Sequence, residues 1–478
     1  MRGAAFALLA ALPAGAQDAP TATSIPTGTI EVMPLGAPAT GSAGLLPATV
    51  TGLPDTLWAG SRASDLAARI DALPISGVGA VDALAETLLL AEAAPPIGDP
   101  APVLEARVRQ LIGRGRLQAA DALLRRAGAR TTPLRRLAFD VALLTGDETA
   151  ACARTEPVPE APEDYARRVF CLLRGGDWAA ALTTFDAVVA LGGLDPVTAG
   201  LLNHFLDPEL EGVPLPPPPA QPTPLQFRLY EALGEPMQTR GLPLSFAHAD
   251  MLPQKPWRTR LDAAERLARA GAIEGGELLA LYSERRPPAS GRQWDRIAAV
   301  QALDEALVRA RPAAVAEALP AAWSAMRDAG LGVAFARSIA PRLTGLPLPA
   351  EANALALEMG LLSGGYEAAV AERARPGDPA VAAGAAFARG EPPAEPDGPL
   401  EEALAAGFGD AEAPEEWRAM AADDRLGEAL LLALEDLAHG VEGDRARLVP
   451  ALAFLREAGL EDSARRIALE LLSAEGPA

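Results

Sequence analysis

Three glycines do most to limit what this chain can become. Gly115, Gly146 and Gly176 lie 31 and 30 residues apart, and each is followed at the fourth and fifth positions by two alanines. Around each, an apolar helical period stops at the glycine and a second one starts just after it. The stretch GGDWAAALTTFDAVVALGG (175–193) is the clearest copy. Asp177 stands where a carboxylate can accept from the orphan N–H groups of a helix start. Trp178, Leu182, Phe185 and Val189 recur at i, i+4, i+7 and i+11, one apolar helix face. Gly192 and Gly193 end it. Upstream, Tyr165, Val169 and Leu172 mark the preceding helix. Further hairpins turn at Gly271, Gly364 and Gly459.

A two-helix unit of this size cannot bury its apolar face alone, whereas stacked neighbours can. The paired alanines let helices approach closely, and the residue two places after the glycine (Leu117, Trp178, Tyr366) is expected to plug the hairpin end. Aromatic residues make up only 4% of a chain that is 49% hydrophobic. A core of Ala, Leu and Val suits helix packing better than sheets. The expected fold is all-α, a helical-hairpin solenoid.

Gly176, Asp177, Trp178, Ala181 and Phe185 resemble the turn and second helix of a tetratricopeptide repeat (TPR), and GGYEAAVAERA (364–374) is similar. Tyr165 sits where that family carries a first-helix aromatic. The sequence departs from the family at Val169, where a small residue is usual, in lacking the closing proline, and in a spacing short of about 34 residues. The likeness covers roughly a third of the chain. It implies a TPR-like solenoid that holds a peptide or protein partner in a groove.

Residues 1–16 read as a secretory signal. Arg2 precedes the apolar run Ala4–Leu12, and Ala14-Gly15-Ala16 predicts cleavage before Gln17. The expected location is periplasmic or secreted, and no later segment is apolar enough to span a membrane. Residues 17–52, rich in Pro, Thr and Gly, are expected to be a disordered lead-in. The proline run EGVPLPPPPAQPTP cannot be helical. It divides the rest into a 53–210 array, a 211–224 linker and a 225–478 array.

The net charge of −21 repels phosphate backbones, so nucleic acid is not an expected partner. Lys255 is the single lysine, with no glycine loop before it, and no phosphate-cradling, nucleophile-elbow or zinc-helix motif is present. His204, His248 and His439 lack neighbours at metal-ligand spacing. The acidic pairs Glu415-Glu416 and Asp423-Asp424 read as solvated helix faces. No catalytic residue, metal or cofactor is therefore expected. Cys152 and Cys171, on adjacent helices, are a candidate disulfide in an oxidising compartment. Candidate partner-binding residues are Trp58 and a basic, aromatic segment with Met251, Lys255, Trp257, Arg258 and Arg260. These features predict a scaffold or assembly factor for a protein or peptide partner in the cell envelope. The alternative is a periplasmic hydrolase of cell-wall or glycan material, using carboxylates that spacing does not reveal.

Overall fold

Glycine turns and helix caps set the local structure throughout the chain. The computed structural model describes residues 41–475 apart from 129, 130, 155–158, 160, 211 and 376–378. The expected signal sequence, its cleavage point and most of the lead-in lie outside the described residues. The first part of the chain forms α1 (Ala48–Thr51), α2 (Ala63–Asp71), α3 (Gly79–Leu90), α4 (Ala101–Gly113), α5 (Leu117–Ala127), α6 (Thr132–Leu144), α7 (Glu148–Ala153), α8 (Pro162–Arg174), α9 (Trp178–Ala190) and α10 (Pro196–Leu206). The middle holds α11 (Pro224–Ala232), α12 (Ala247–Asp250), α13 (Trp257–Arg269), α14 (Gly275–Ser283), α15 (Arg292–Val308), α16 (Pro312–Asp328) and α17 (Gly332–Leu343). Then come α18 (Ala350–Leu361), α19 (Tyr366–Arg373), α20 (Pro379–Ala388), α21 (Gly398–Phe408), α22 (Glu415–Ala422), α23 (Leu426–Val441), α24 (Leu448–Glu457) and α25 (Glu461–Glu475). Among the described residues there is no strand, only two isolated bridges. The protein is all-α.

Each of the six glycine turns joins two helices that pack on each other: α4/α5, α6/α7, α8/α9, α13/α14, α18/α19 and α24/α25. Gly115, Gly146 and Gly176 sit at φ of 72°, 80° and 80°, a region that favours glycine. The second alanine of each pair, Ala120, Ala151 and Ala181, is fully buried. Asp147 and Asp177 cap the following helices, accepting from Ala150 N at 2.9 Å and Ala180 N at 3.1 Å.

The apolar cores follow a different division from the two arrays read off the proline run. Residues between 43 and 144 share one core with residues between 366 and 471. Residues 247–362 build a second core, and residues 139–230 a third. Residues 57–80 are clasped to residues 424–470. Gly60 N donates to Asp424 O and Gly427 N to Leu57 O, both at 2.9 Å, and Ser61 Oγ donates to Glu428 at 3.1 Å. From α25, the buried Glu470 carboxylate accepts from Gly79 N at 2.5 Å and Ala80 N at 2.9 Å, capping α3, with Arg337 of α17 at 3.4 Å. Burial raises the Glu470 carboxyl above the usual range, while Arg337 and the two amides act the other way.

Two expectations are corrected. Residues 41–52 are not a free lead-in. Leu45 N and Leu46 N donate to Leu90 O, and the Arg107 guanidinium grips Ala43 O at 2.8 Å. The proline run lacks helix, as expected, but it is no detached spacer. Tyr230 Oη donates to Pro216 O at 2.8 Å, and the Pro216 ring fills the space where a side chain at Gly200 would stand. Cys152 and Cys171 are joined by a disulfide that ties α7 to α8, with Cα atoms 5.3 Å apart.

Candidate partner-binding surface

Helix α9 departs from the hairpin plan. It packs on α8 and α10 through Ala181, Phe185 and Val188. Of the expected face, only Phe185 is buried. Trp178, Leu182 and Val189 stay 53%, 48% and 44% exposed. At about 100° per residue, the open stripe is turned roughly 70° from the buried one. Leu191, just beyond the helix, is also exposed. The expectation that Trp178 plugs its hairpin end is therefore overturned, although Leu117 and Tyr366 are buried at the matching positions. The reason lies in the neighbours. The turn before Leu117 packs under Leu244, and Tyr366 Oη reaches Asp462 of α25 at 2.8 Å.

This stripe is distinctive in two respects. Trp58, Trp323 and Trp417 are buried, and Trp257 and Trp294 are half-buried and stacked at 5.3 Å, which leaves Trp178 as the exposed tryptophan. Within α9 the sole charged residue is the exposed Asp186, and the cap before it is Asp177, so the stripe is apolar with an acidic margin. An exposed aromatic–aliphatic stripe with charge only at its margin is the composition of interface cores.

The segment expected as a contact patch does make contacts, but with its own chain. Leu244 lies against the Gly115 turn and Leu252 against the Gly146 turn. His248 is buried, with Nε2 2.6 Å from Gly115 O. That contact requires Nε2 to carry the proton, and burial pushes the imidazole pKa below 6.5. Met251 is half-buried against the second core. Lys255 pairs with Glu231, and Asp250 lies 3.9 Å away. Trp257 stacks on Trp294 and donates to Leu281 O at 3.0 Å. Arg260 makes two 2.8 Å bonds to Glu284. Arg258 is exposed. Trp58, 3% exposed, lies over Gly427 and has no surface to offer a partner. The segment is an internal bracket across two hairpin turns.

The bracket yields a pH prediction. Below pH 6.5 the unfolded histidine takes up a proton that the folded one resists, so the contribution of His248 to stability falls with pH. His248→Gln should cost about 1–2 kcal/mol at pH 7. The gap from wild type in urea unfolding should narrow toward pH 5.5.

The carboxylates around a cleft elsewhere are paired with arginines. This cleft, of about 520 Å³, is bordered by Glu367, Glu461 and Asp462. Arg465 holds Glu367 and Glu461 at 2.7 and 3.0 Å, and Arg466 holds Asp462 at 2.7 Å. His204 and His439 each bond by Nδ1 to a carbonyl one turn back, at 2.8 Å. Among the described residues no three His, Cys, Asp or Glu side chains come together as metal ligands, and no helix is long and apolar enough to cross a membrane. The chain matches no protein-family model, no curated protein and no solved structure.

Proposed function

We propose that this protein is a cell-envelope scaffold or assembly factor, built from TPR-like hairpins, whose partner docks on the open face of α9. The observation that carries the reading is the Trp178–Leu182–Val189 stripe, solvent-facing on a helix whose other apolar face is packed. A helix on that stripe would occupy the place of a next helix in the stack. The partner is a basic amphipathic helix. Its apolar side covers the stripe, and its cations meet Asp177, Asp186 and the field of an acidic chain. A second copy of this chain would bring like charges together on the same face. The secretory signal read at residues 1–16 supports a periplasmic location.

The double variant Trp178→Asp/Leu182→Asp tests this reading. Truncating a central tryptophan anchor removes at least about 2 kcal/mol of binding, or roughly 30-fold in affinity. Partners captured by the wild type from periplasmic extract of the native host should be lost, with an unchanged melting temperature. Equal recovery by both proteins would refute the assignment.

A further inference from the structure

Beside this surface lies a second, independent feature. A cleft of about 260 Å³ opens where α6, α8, α10 and α11 meet. Its volume is that of on the order of eight or nine waters, or a molecule of about as many non-hydrogen atoms. Pro162, Leu194 and Leu225 give it apolar walls.

The polar groups around it fall into two sets. Those at the helix starts are satisfied. Asp195 accepts from Thr198 N at 2.9 Å and from Gln226 Nε2 at 3.2 Å, and Gln226 closes a reciprocal cap with Thr223. Asp164 is held by two 2.8 Å bonds from Arg136. Asp140 and Arg167 form the other set. Among the described residues, Asp140 makes one polar interaction, a 3.9 Å ion pair with Arg167 Nη2, which is too long for a hydrogen bond. Arg167 is kept at that distance by its 3.0 Å bond to Asp164 and its seat over the Phe139 ring. Its Nε is buried without a partner. The cleft thus offers a carboxylate that lacks donors beside a guanidinium whose Nη2 stands 3.9 Å away, too far to bond it.

Burial pushes the Asp140 carboxyl up to about 6, with Arg167 acting against it. Yet its side chain keeps 26% of its surface accessible, so a ligand can reach it. The charged groups facing it are Arg167 on α8 and the Asp195 cap of α10; α11 contributes Thr223 and Leu225 to the lining. A perturbed carboxylate in a cleft is where binding chemistry concentrates.

We propose that this cleft binds a small zwitterion, an α-amino acid with an apolar side chain, its ammonium on Asp140 and its carboxylate on Arg167. The two ligand charges sit a short, fixed distance apart, as do the two protein groups. The side chain lies among Pro162, Leu194 and Leu225. An ammonium supplies Asp140 with the donors that it lacks, and a carboxylate accepts from Arg167.

Isothermal titration of the full chain with L-leucine at pH 7.5 tests the assignment. N-acetyl-leucine lacks the ammonium and leucinamide lacks the carboxylate. Leucine should bind saturably, and each analogue should bind at least tenfold more weakly. Binding should weaken below pH 6 as Asp140 takes up its proton. Asp140→Asn, nearly the same shape, should lower leucine affinity at least tenfold with the fold intact by circular dichroism. Absence of saturable leucine binding, or unchanged affinity in D140N, overturns the site. Leucinamide binding as tightly as leucine overturns the Arg167 contact. None of these outcomes bears on the α9 stripe.

Discussion

Replacing Arg107 with alanine is expected to cost about 3–5 kcal/mol of folding stability. This guanidinium is buried in α4 and, among the described residues, meets no carboxylate. It donates instead to three main-chain carbonyls: Leu89 O at 2.7 Å, Ala43 O at 2.8 Å and Ala91 O at 3.0 Å. Two of these belong to the end of α3, where helix carbonyls have no partner of their own. The third anchors the segment before α1. Desolvation lowers the guanidinium pKa to about 10, so it remains charged at neutral pH. Truncation leaves three buried acceptors unpaired and a void beside them. Arg107→Lys keeps the charge, but one ammonium cannot span three carbonyls in the guanidinium's fork, so its loss should be intermediate. Urea unfolding at pH 7 measures both. A loss in Arg107→Ala under 1 kcal/mol would mean that the α3 end is held by other means.

Trp58→Ala should be comparably severe, about 3–5 kcal/mol. The indole lies against Gly427, where even a methyl group would stand 2.0 Å from Trp58 Cζ3. Residues early and late in the described part of the chain meet there, so the substitution opens the clasp itself. Trp58 Nε1 is buried without a hydrogen-bond partner. Phenylalanine removes that unpaired group while filling most of the space, and Trp58→Phe should lose less than about 1.5 kcal/mol. Hydrogen exchange gives a second readout. In Trp58→Ala, amides of α2 and the start of α23 should lose protection ahead of those in the 247–362 core. Uniform loss would mean that the clasp does not unfold separately.

Much of the local structure could be read in the sequence because it depends on neighbours a few residues away. Positive φ demands glycine at 115, 146 and 176, a carboxylate caps α7 and α9, and the second alanine of each pair is small because a helix lies on it. The face of α9 was less legible. Trp178, Leu182 and Val189 fit an apolar face, but Ala181 and Val188 fit an adjacent one, and periodicity cannot rank a tryptophan above an alanine when close packing favours the alanine. Closure of the chain left no local trace at all. Ser61 and Glu428 are 367 positions apart, and nothing near either predicts the other. The segment around Lys255 misled because a basic aromatic loop has the same composition whether its acids come from a partner or from Glu231 and Glu284. Asp140 did carry a signal, a lone acid inside LAFDVALL, where a solvated face would not place one.

The central claim is that α9 carries the partner. Its most direct test is site-specific photo-crosslinking in the native host, with a benzophenone amino acid at Leu182 and, separately, at Val308. Both positions are exposed, at 48% and 72%, but Val308 lies outside the stripe. A discrete adduct from position 182, mapped to a basic amphipathic helix, with none from 308, is the predicted result. No adduct from 182, or the same adducts from both positions, would contradict it.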